Sequence, residues 1–264
     1  MSTTPFASLP AAAPRTALPP WASWRRLASP PLFEAWVARW WWPLALLALP
    51  CALPALWLAF FVAPADARQG ESVRLLAVHV PAAWMSMWLY AVMAFWSAMA
   101  LVWRGRVASA LAQAMAPTGA MFCALALASG ALWGRPTWGT WWAWDARLVS
   151  QLLLLLLYLG VIGLRAAFDD ERRAARLAAL LALVGVVNLP VIWFSVHWWN
   201  TLHQGATISP RGAALETSQL AALVLMTLAA WAYAASVTLL RARCILAEQR
   251  TAPPRPRPTV RAWQ

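Results

Sequence analysis

The stretch Leu148-Val-Ser-Gln-Leu-Leu-Leu-Leu-Leu-Leu-Tyr-Leu-Gly-Val-Ile-Gly-Leu164 decides the fold, because it holds no charged residue and lies between Arg147 and Arg165. At a rise of about 1.5 Å per residue, a helix over 147–166 reaches across the roughly 30 Å hydrocarbon core of a bilayer. Five further apolar runs are found at 43–63, 74–102, 111–133, 177–196 and 216–240. The sequence therefore predicts an all-α integral membrane protein, a bundle of six transmembrane helices.

Composition supports the membrane class. The 264 residues are 62% hydrophobic and 11% charged, whereas a soluble domain carries about 25% charged residues.

We expect a transmembrane domain at 43–240, with an uncleaved first helix. It follows a cytoplasmic N-terminal extension at 1–42, rich in Pro, Ala and Arg and expected to be flexible. A disordered cytoplasmic tail at 241–264 includes a proline-rich run at 253–258.

The distribution of arginine predicts the orientation. All 21 basic residues are Arg, and sixteen of them lie in the N-terminus, 103–110, 165–176 and the C-terminal tail. Arg near membrane helices concentrates on the cytoplasmic side, so both termini are expected in the cytoplasm. The same rule explains the net charge of +12 without nucleic acid as a partner. Three loops then face outward, at 64–73, 134–146 and 197–215, which in a bacterium means the periplasm.

The second outward loop, between helices 3 and 4, contains an unusual cluster of tryptophans, Trp138-Gly-Thr-Trp-Trp-Ala-Trp-Asp145. An aromatic belt at the lipid headgroups needs one or two anchors per helix end, and it does not account for four Trp in one short loop. A flat aromatic surface that stacks against a large planar apolar ligand does. Asp145 has two readings, as the N-terminal cap of the following helix or as a ligand contact.

The three histidines, His79, His197 and His203, all map to the outer half of the protein. An ionisable residue at membrane depth suggests function, and two neutral imidazoles can hold a haem iron from both faces. A quinone, another planar lipid-like molecule or a sugar would also suit an aromatic loop. Five outward arginines are candidates for binding haem propionates: Arg68, Arg74, Arg135, Arg147 and Arg211. Of these, Arg74 and Arg147 are best placed.

Other site chemistries find no support in the sequence. Cys51, Cys123 and Cys244 form no CxxC or CxxCH motif, so no zinc framework, thiol pair or covalent haem attachment is expected. We find no paired carboxylates, nucleophile–base set or phosphate loop, so no enzymatic activity is expected. Any ATP-driven step would require a partner subunit.

The segment Trp133-Gly-Arg-Pro-Thr-Trp-Gly-Thr-Trp-Trp-Ala-Trp-Asp-Ala-Arg147 resembles the signature of the WWD family of haem-handling proteins. It is most similar to the six-span branch that serves cytochrome c maturation. Further blocks agree in order along the chain: Ala63-Pro-Ala-Asp66, His79-Val-Pro-Ala-Ala83, Met115-Ala-Pro117, Asn188-Leu-Pro190 and Trp198-Trp-Asn-Thr-Leu-His-Gln-Gly205.

The resemblance implies that haem b is held non-covalently and transiently at the periplasmic membrane surface. His79 and His203 would be the axial ligands of the iron, and His197 falls outside the matched blocks. The WWD loop would bind the haem face, which adds Trp133 to the candidates Trp138, Trp141, Trp142, Trp144 and Asp145. The implied partners are a periplasmic haem chaperone, ABC transporter subunits and a small membrane subunit of the cytochrome c maturation system, in addition to membrane lipid.

Two alternative functions stay open. A permease for haem or a small solute would use the Trp-rich loop as its outer gate and would need polar groups along a path through the bundle. The spans offer few: Gln113, Thr118, Ser129, Gln151 and Asn188. An enzyme acting on lipid-linked sugar would also use a Trp platform but needs a carboxylate pair.

Overall fold

The computed structural model describes residues 28–199, 201–203, 208–209, 212–213 and 215–251. This part of the chain forms α1 (Pro30–Trp57), α2 (Leu76–Trp103), α3 (Arg106–Trp138), α4 (Ala146–Ala167), α5 (Glu171–Gly185), α6 (Asn188–Trp198) and α7 (Thr217–Thr251). A π-helical turn, Leu58–Val62, extends α1, and a 3-10 turn, Glu71–Leu75, leads into α2. Two short strands, Ile208–Ser209 and Gly212–Ala213, pair antiparallel.

Six segments of the described chain are long and apolar enough to cross a membrane. The helices α5 and α6 together form the fifth of these segments, with a short turn between them. The predicted six-span bundle is therefore confirmed. Large apolar side chains such as Leu53, Phe61 and Val184 are exposed on its sides, as expected for surfaces in contact with lipid.

The helices continue beyond the apolar runs that set the sequence-based boundaries at 42 and 241. Helix α1 begins at Pro30, with proline in its first turn, where the missing N–H needs no partner. Helix α7 ends at Thr251, so residues 241–251, predicted to belong to a disordered tail, are helical. Glu34 and Arg250 form an ion pair between these two polar extensions. The proline-rich run at 253–258 lies outside the described residues.

Helices α2, α3 and α4 form a tightly packed core. A Cβ atom on Gly119 of α3 would lie 2.1 Å from Cζ of Tyr158 in α4, so the Tyr158 ring occupies space that a larger residue would fill. The Tyr158 hydroxyl donates to Ser86 O of α2 at 2.7 Å, and Gln151 Nε2 donates to Ser86 Oγ at 2.9 Å. Small residues and interhelical hydrogen bonds are typical of contacts between membrane helices.

The starts of α2, α4 and α7 lie at the same end of the bundle as the ends of α3 and α6, which we call the site end. Gln219 in the first turn of α7 donates to Pro64 O, just after α1, at 3.2 Å. Asp145 caps α4, because its Oδ1 accepts from the backbone N–H groups of Arg147 at 3.1 Å and Leu148 at 2.9 Å. The predicted capping role of Asp145 is therefore observed.

Candidate functional site

A cavity opens at the site end, between α2, α3, α4 and the segment that follows α6. The cavity volume is about 40 Å³, and the empty space is about 530 Å³ when the open solvent at its mouth is included. Both His79 and His203 line it, as do three tryptophans of the WWD loop, Trp138, Trp141 and Trp142. The remaining lining is mostly apolar, and Arg147 and Gln151 contribute its other polar groups.

His79 lies in the first turn of α2, and its ring is fixed against α3. Its Nδ1 lies 3.0 Å from Ala126 O and 3.2 Å from Ser129 Oγ. Because a carbonyl oxygen only accepts, Nδ1 carries the proton, and the lone pair of Nε2 is left for a ligand. Gly130 makes room for the ring, since a Cβ atom there would lie 2.9 Å from Cε1 of His79. Trp133 packs edge-on at 5.5 Å between ring centres.

His203 lies in the segment after α6, where Trp138 covers it at 4.9 Å between ring centres. Its side chain is 17% exposed, and its Nδ1 is buried without a hydrogen-bond partner among the described residues. Burial first, and then the nearby Arg147 and His79, lower the pKa of His203 from 6.5 to about 3. The imidazole is therefore neutral at ordinary pH, which is the form that binds metal ions.

The two imidazole rings lie with their centres 6.5 Å apart and their planes 37° apart. A metal ion bound by two imidazole nitrogens at about 2 Å each requires ring centres roughly 6 Å apart. The observed separation between the rings of His79 and His203 is close to that value.

Asp145 links the WWD loop to the segment that carries His203. While its Oδ1 caps α4, its Oδ2 accepts from the backbone N–H of Leu202 at 3.3 Å. The same Oδ2 lies 4.0 Å from His203 Nδ1, and the Asp145 side chain is only 9% exposed.

The tryptophans of the candidate site have different surroundings. Trp138, Trp141 and Trp142 line the cavity, whereas Trp144 is 82% exposed and touches Trp142 edge-on at 5.5 Å. Trp133 does not line the cavity but contacts His79, and its indole Nε1 donates to Gln69 Oε1 at 2.8 Å. The predicted aromatic surface thus has a cavity side and an outward side.

Only some of the remaining candidates come near the two histidines. Arg147 lines the cavity, but Arg74 does not: its guanidinium donates to Ala59 O at 3.0 Å and pairs with Glu71. Arg135 donates to Gly139 O, and Arg68 is exposed, while Arg211 lies outside the described residues. His197 is exposed in the last turn of α6 and is not among the residues of the cavity wall.

Sequence reasoning did not assign Gly130 or Gln151 to the site. The spacing could have indicated Gln151, because it follows Arg147 by four residues and therefore lies on the same helical face. The role of Gly130 depends on how closely α2 and α3 approach each other, and the sequence carries no local sign of that distance.

Comparison with known proteins gives a consistent match. The family model described as heme exporter protein C matches residues 23–256. Heme exporter protein C of Escherichia coli strain K12 is 51% identical over 189 residues, which cover 71% of this chain and 76% of that protein. The protein of the same name from Bradyrhizobium diazoefficiens is 53% identical over 169 residues, 64% of each chain. A putative cytochrome c biosynthesis ccmC-like mitochondrial protein of Marchantia polymorpha is 41% identical over 172 residues, 65% of this chain and 73% of that protein.

Proposed function

Because the chain belongs to the heme exporter protein C family, we propose that it binds haem b at the periplasmic membrane surface and delivers it to a periplasmic haem chaperone. Membership and the six spans make the chain a multi-pass protein of the bacterial inner membrane that handles haem for cytochrome c maturation.

The neighbouring imidazoles of His79 and His203 carry the proposal. Their ring centres are 6.5 Å apart, which suits an iron between two nitrogens, and Nδ1 of His79 is occupied by a backbone carbonyl. Gly130 leaves room for the His79 ring, which keeps its Nε2 available as a ligand. Iron held in this way between two imidazoles is bound without a covalent link to the chain, so the haem is releasable.

The aromatic loop supplies the surface on which the macrocycle lies. Trp138, Trp141 and Trp142 line the cavity and offer large apolar rings to a planar ligand. Arg147 is the cationic group of the cavity wall and is proposed to pair with a haem propionate. Arg74 is engaged by Ala59 and Glu71, so it is proposed to anchor the outer end of α1 and not to contact the haem.

Haem entry requires the outer loops to open. The cavity volume of about 40 Å³ is far smaller than the several hundred cubic ångströms of a typical ligand pocket. The opening would separate the WWD loop from the segment that carries His203, because these two parts meet at Asp145. Trp144, 82% exposed, is proposed to meet the chaperone at this mouth.

The bundle interior favours delivery at the surface over a permease. Below the cavity the core contains fully buried large side chains, among them Met85, Tyr90, Leu154 and Tyr158. These side chains belong to the apolar core that α2, α3 and α4 form next to the cavity. We therefore propose that haem crosses elsewhere and that ABC transporter subunits and a small membrane subunit act beside this protein.

Optical spectra of the detergent-purified protein test the haem site. Wild type and His197→Ala are expected to bind added haem as a low-spin species with two nitrogen ligands. His79→Ala and His203→Ala are expected to lose that spectrum and to regain it when free imidazole is added. A wild type whose spectrum after haem addition stays that of free haem in detergent would refute haem binding, and a loss of the low-spin spectrum in His197→Ala alone would refute the ligand assignment.

Crosslinking tests delivery and orientation separately. A photoreactive residue at Trp144 is expected to capture the haem chaperone, and the same residue at Val184, exposed on the lipid-facing side, is expected to capture none. In intact cells, a membrane-impermeant thiol reagent should label Trp144→Cys but not Arg104→Cys, when each is the single cysteine of the protein. Labelling of Arg104→Cys and not of Trp144→Cys would mean that the proposed orientation is inverted.

A further inference from the structure

The carboxylate of Asp145 meets two different parts of the site. Its Oδ1 accepts both backbone N–H groups at the start of α4, which accounts for one oxygen. Its Oδ2 faces the segment after α6, where Leu202 N lies at 3.3 Å and His203 Nδ1 at 4.0 Å. A helix cap requires only the first of these two sets of contacts.

The ring nitrogen Nδ1 of His203 lacks a hydrogen-bond partner within the described residues. This nitrogen is buried, and buried polar atoms are nearly always paired. The Arg147 side chain on the same cavity wall offers only donors. Asp145 Oδ2, at 4.0 Å, is an acceptor that Nδ1–H would reach if the imidazole turned toward it.

We infer that Asp145 is the positioning residue of His203: it accepts the Nδ1–H of the ring and so directs Nε2 toward the haem iron. The inference rests on the proposed haem function. A carboxylate behind a metal-binding histidine fixes the tautomer and ring orientation and makes the ligating nitrogen more electron-rich. His79 has a neutral carbonyl, Ala126 O, in the corresponding position, so the two axial ligands differ in donor strength.

Asp145→Asn tests the inference, because asparagine still caps a helix but presents only one carbonyl oxygen. Asp170→Asn is the matched control: Asp170 caps α5 through the same contacts, with Arg172 N at 2.9 Å and Arg173 N at 3.3 Å, and lies outside the cavity wall. Asp145→Ser provides a second variant, since serine caps well and is too short to reach His203.

Nitrogen NMR of the haem-free protein reports the tautomer of His203 without any bound ligand. Wild type and Asp170→Asn are expected to carry the proton on Nδ1, whereas both Asp145 variants shift toward the Nε2–H tautomer. In the haem-loaded protein, the Asp145 variants should keep two nitrogen ligands but show a more positive reduction potential, because the carboxylate no longer enriches the ligand.

The outcomes separate the two proposals. An Nε2–H tautomer in wild type, or tautomer populations unchanged by the Asp145 variants, overturns the positioning role even if haem binds as proposed. A wild type that binds no haem overturns the proposed function, while the tautomer measurement still decides the pairing of Asp145 with His203. If neither Asp145 variant folds, the tautomer found in wild type decides it.

Discussion

Gly130 of α3 and His79 of α2 approach each other so closely that a Cβ atom on Gly130 would lie 2.9 Å from Cε1 and 3.3 Å from Nδ1 of the imidazole. The ring cannot move away freely, because its Nδ1 contacts Ala126 O at 3.0 Å. The absence of a side chain at Gly130 therefore sets the position of His79 as much as its hydrogen bond does.

We predict that Gly130→Ala weakens haem binding. Overpacking a close contact costs about 1–3 kcal/mol, which corresponds to roughly 5- to 150-fold in affinity when the strain falls on the ligand. Titration of the purified protein with haem measures the change. Gly163→Ala is the control, since a Cβ atom there meets nothing within 4 Å. Equal affinities in the two variants would show that the ring adapts without loss.

We predict different effects for two tryptophans of the WWD loop. Trp138→Leu removes the ring that covers His203 at 4.9 Å, so the haem complex should dissociate several-fold faster. Trp144→Leu changes an 82% exposed side chain, so dissociation should stay within about twofold of wild type, while transfer to the chaperone slows. Stopped-flow transfer to a haem scavenger measures dissociation. Faster release from Trp144→Leu than from Trp138→Leu would contradict the assigned sides of the loop.

We predict that Arg147→Gln weakens binding of haem b by roughly tenfold, because a charge-assisted hydrogen bond contributes about 1.5–3 kcal/mol. The dimethyl ester of haem has no propionate charge, so its affinity should be nearly unchanged by the substitution. Arg74→Gln should affect both ligands alike. If Arg147→Gln lost as much affinity for the ester as for haem b, the guanidinium would not bind a propionate.

The lowered pKa of His203, about 3 compared with 6.5, predicts a pH dependence of the haem-free protein. Between these values the unfolded chain binds the proton and the folded chain does not, so the free energy of unfolding falls as pH falls below 6.5. Above pH 6.5 neither state binds it, and the contribution is constant. The loss reaches at most about 2 kcal/mol at pH 5.

Thermal unfolding midpoints of wild type and His203→Gln at pH 7.5 and pH 5 measure this effect. Wild type should lose more stability than His203→Gln on acidification. Parallel losses in the two proteins would show that the buried imidazole of His203 takes up its proton without unfolding.

The sequence predicts the six spans because a bilayer core requires about 20 consecutive apolar residues, and that requirement leaves a readable trace. It does not predict where α1 begins and α7 ends, because the polar flanks around Glu34 and Arg250 are helical beyond the apolar runs. Helix ends outside the hydrocarbon are stabilised by contacts between distant parts of the chain.

The sequence predicts several of the residues that line the cavity, but not their contacts. Topology put all histidines at one end, but the choice of His79 and His203 over His197 needed the family resemblance. The sequence favours Arg74 and Arg147 equally as propionate ligands. Only the fold shows that Arg147 lines the cavity whereas Arg74 pairs with Glu71. The cap at Asp145 is local and therefore readable, whereas its contact with Leu202 depends on how the loops meet.

The narrowness of the cavity has a thermodynamic consequence for a carrier. If the ligand-free protein is mostly closed, only the small open fraction binds, and the apparent dissociation constant is the intrinsic one divided by that fraction. The contacts that close the mouth, such as Asp145 Oδ2 with Leu202 N, then set how long the cargo stays. Substitutions far from the iron would change residence time without changing the ligands, so a single fold can be adjusted between storage and rapid hand-over.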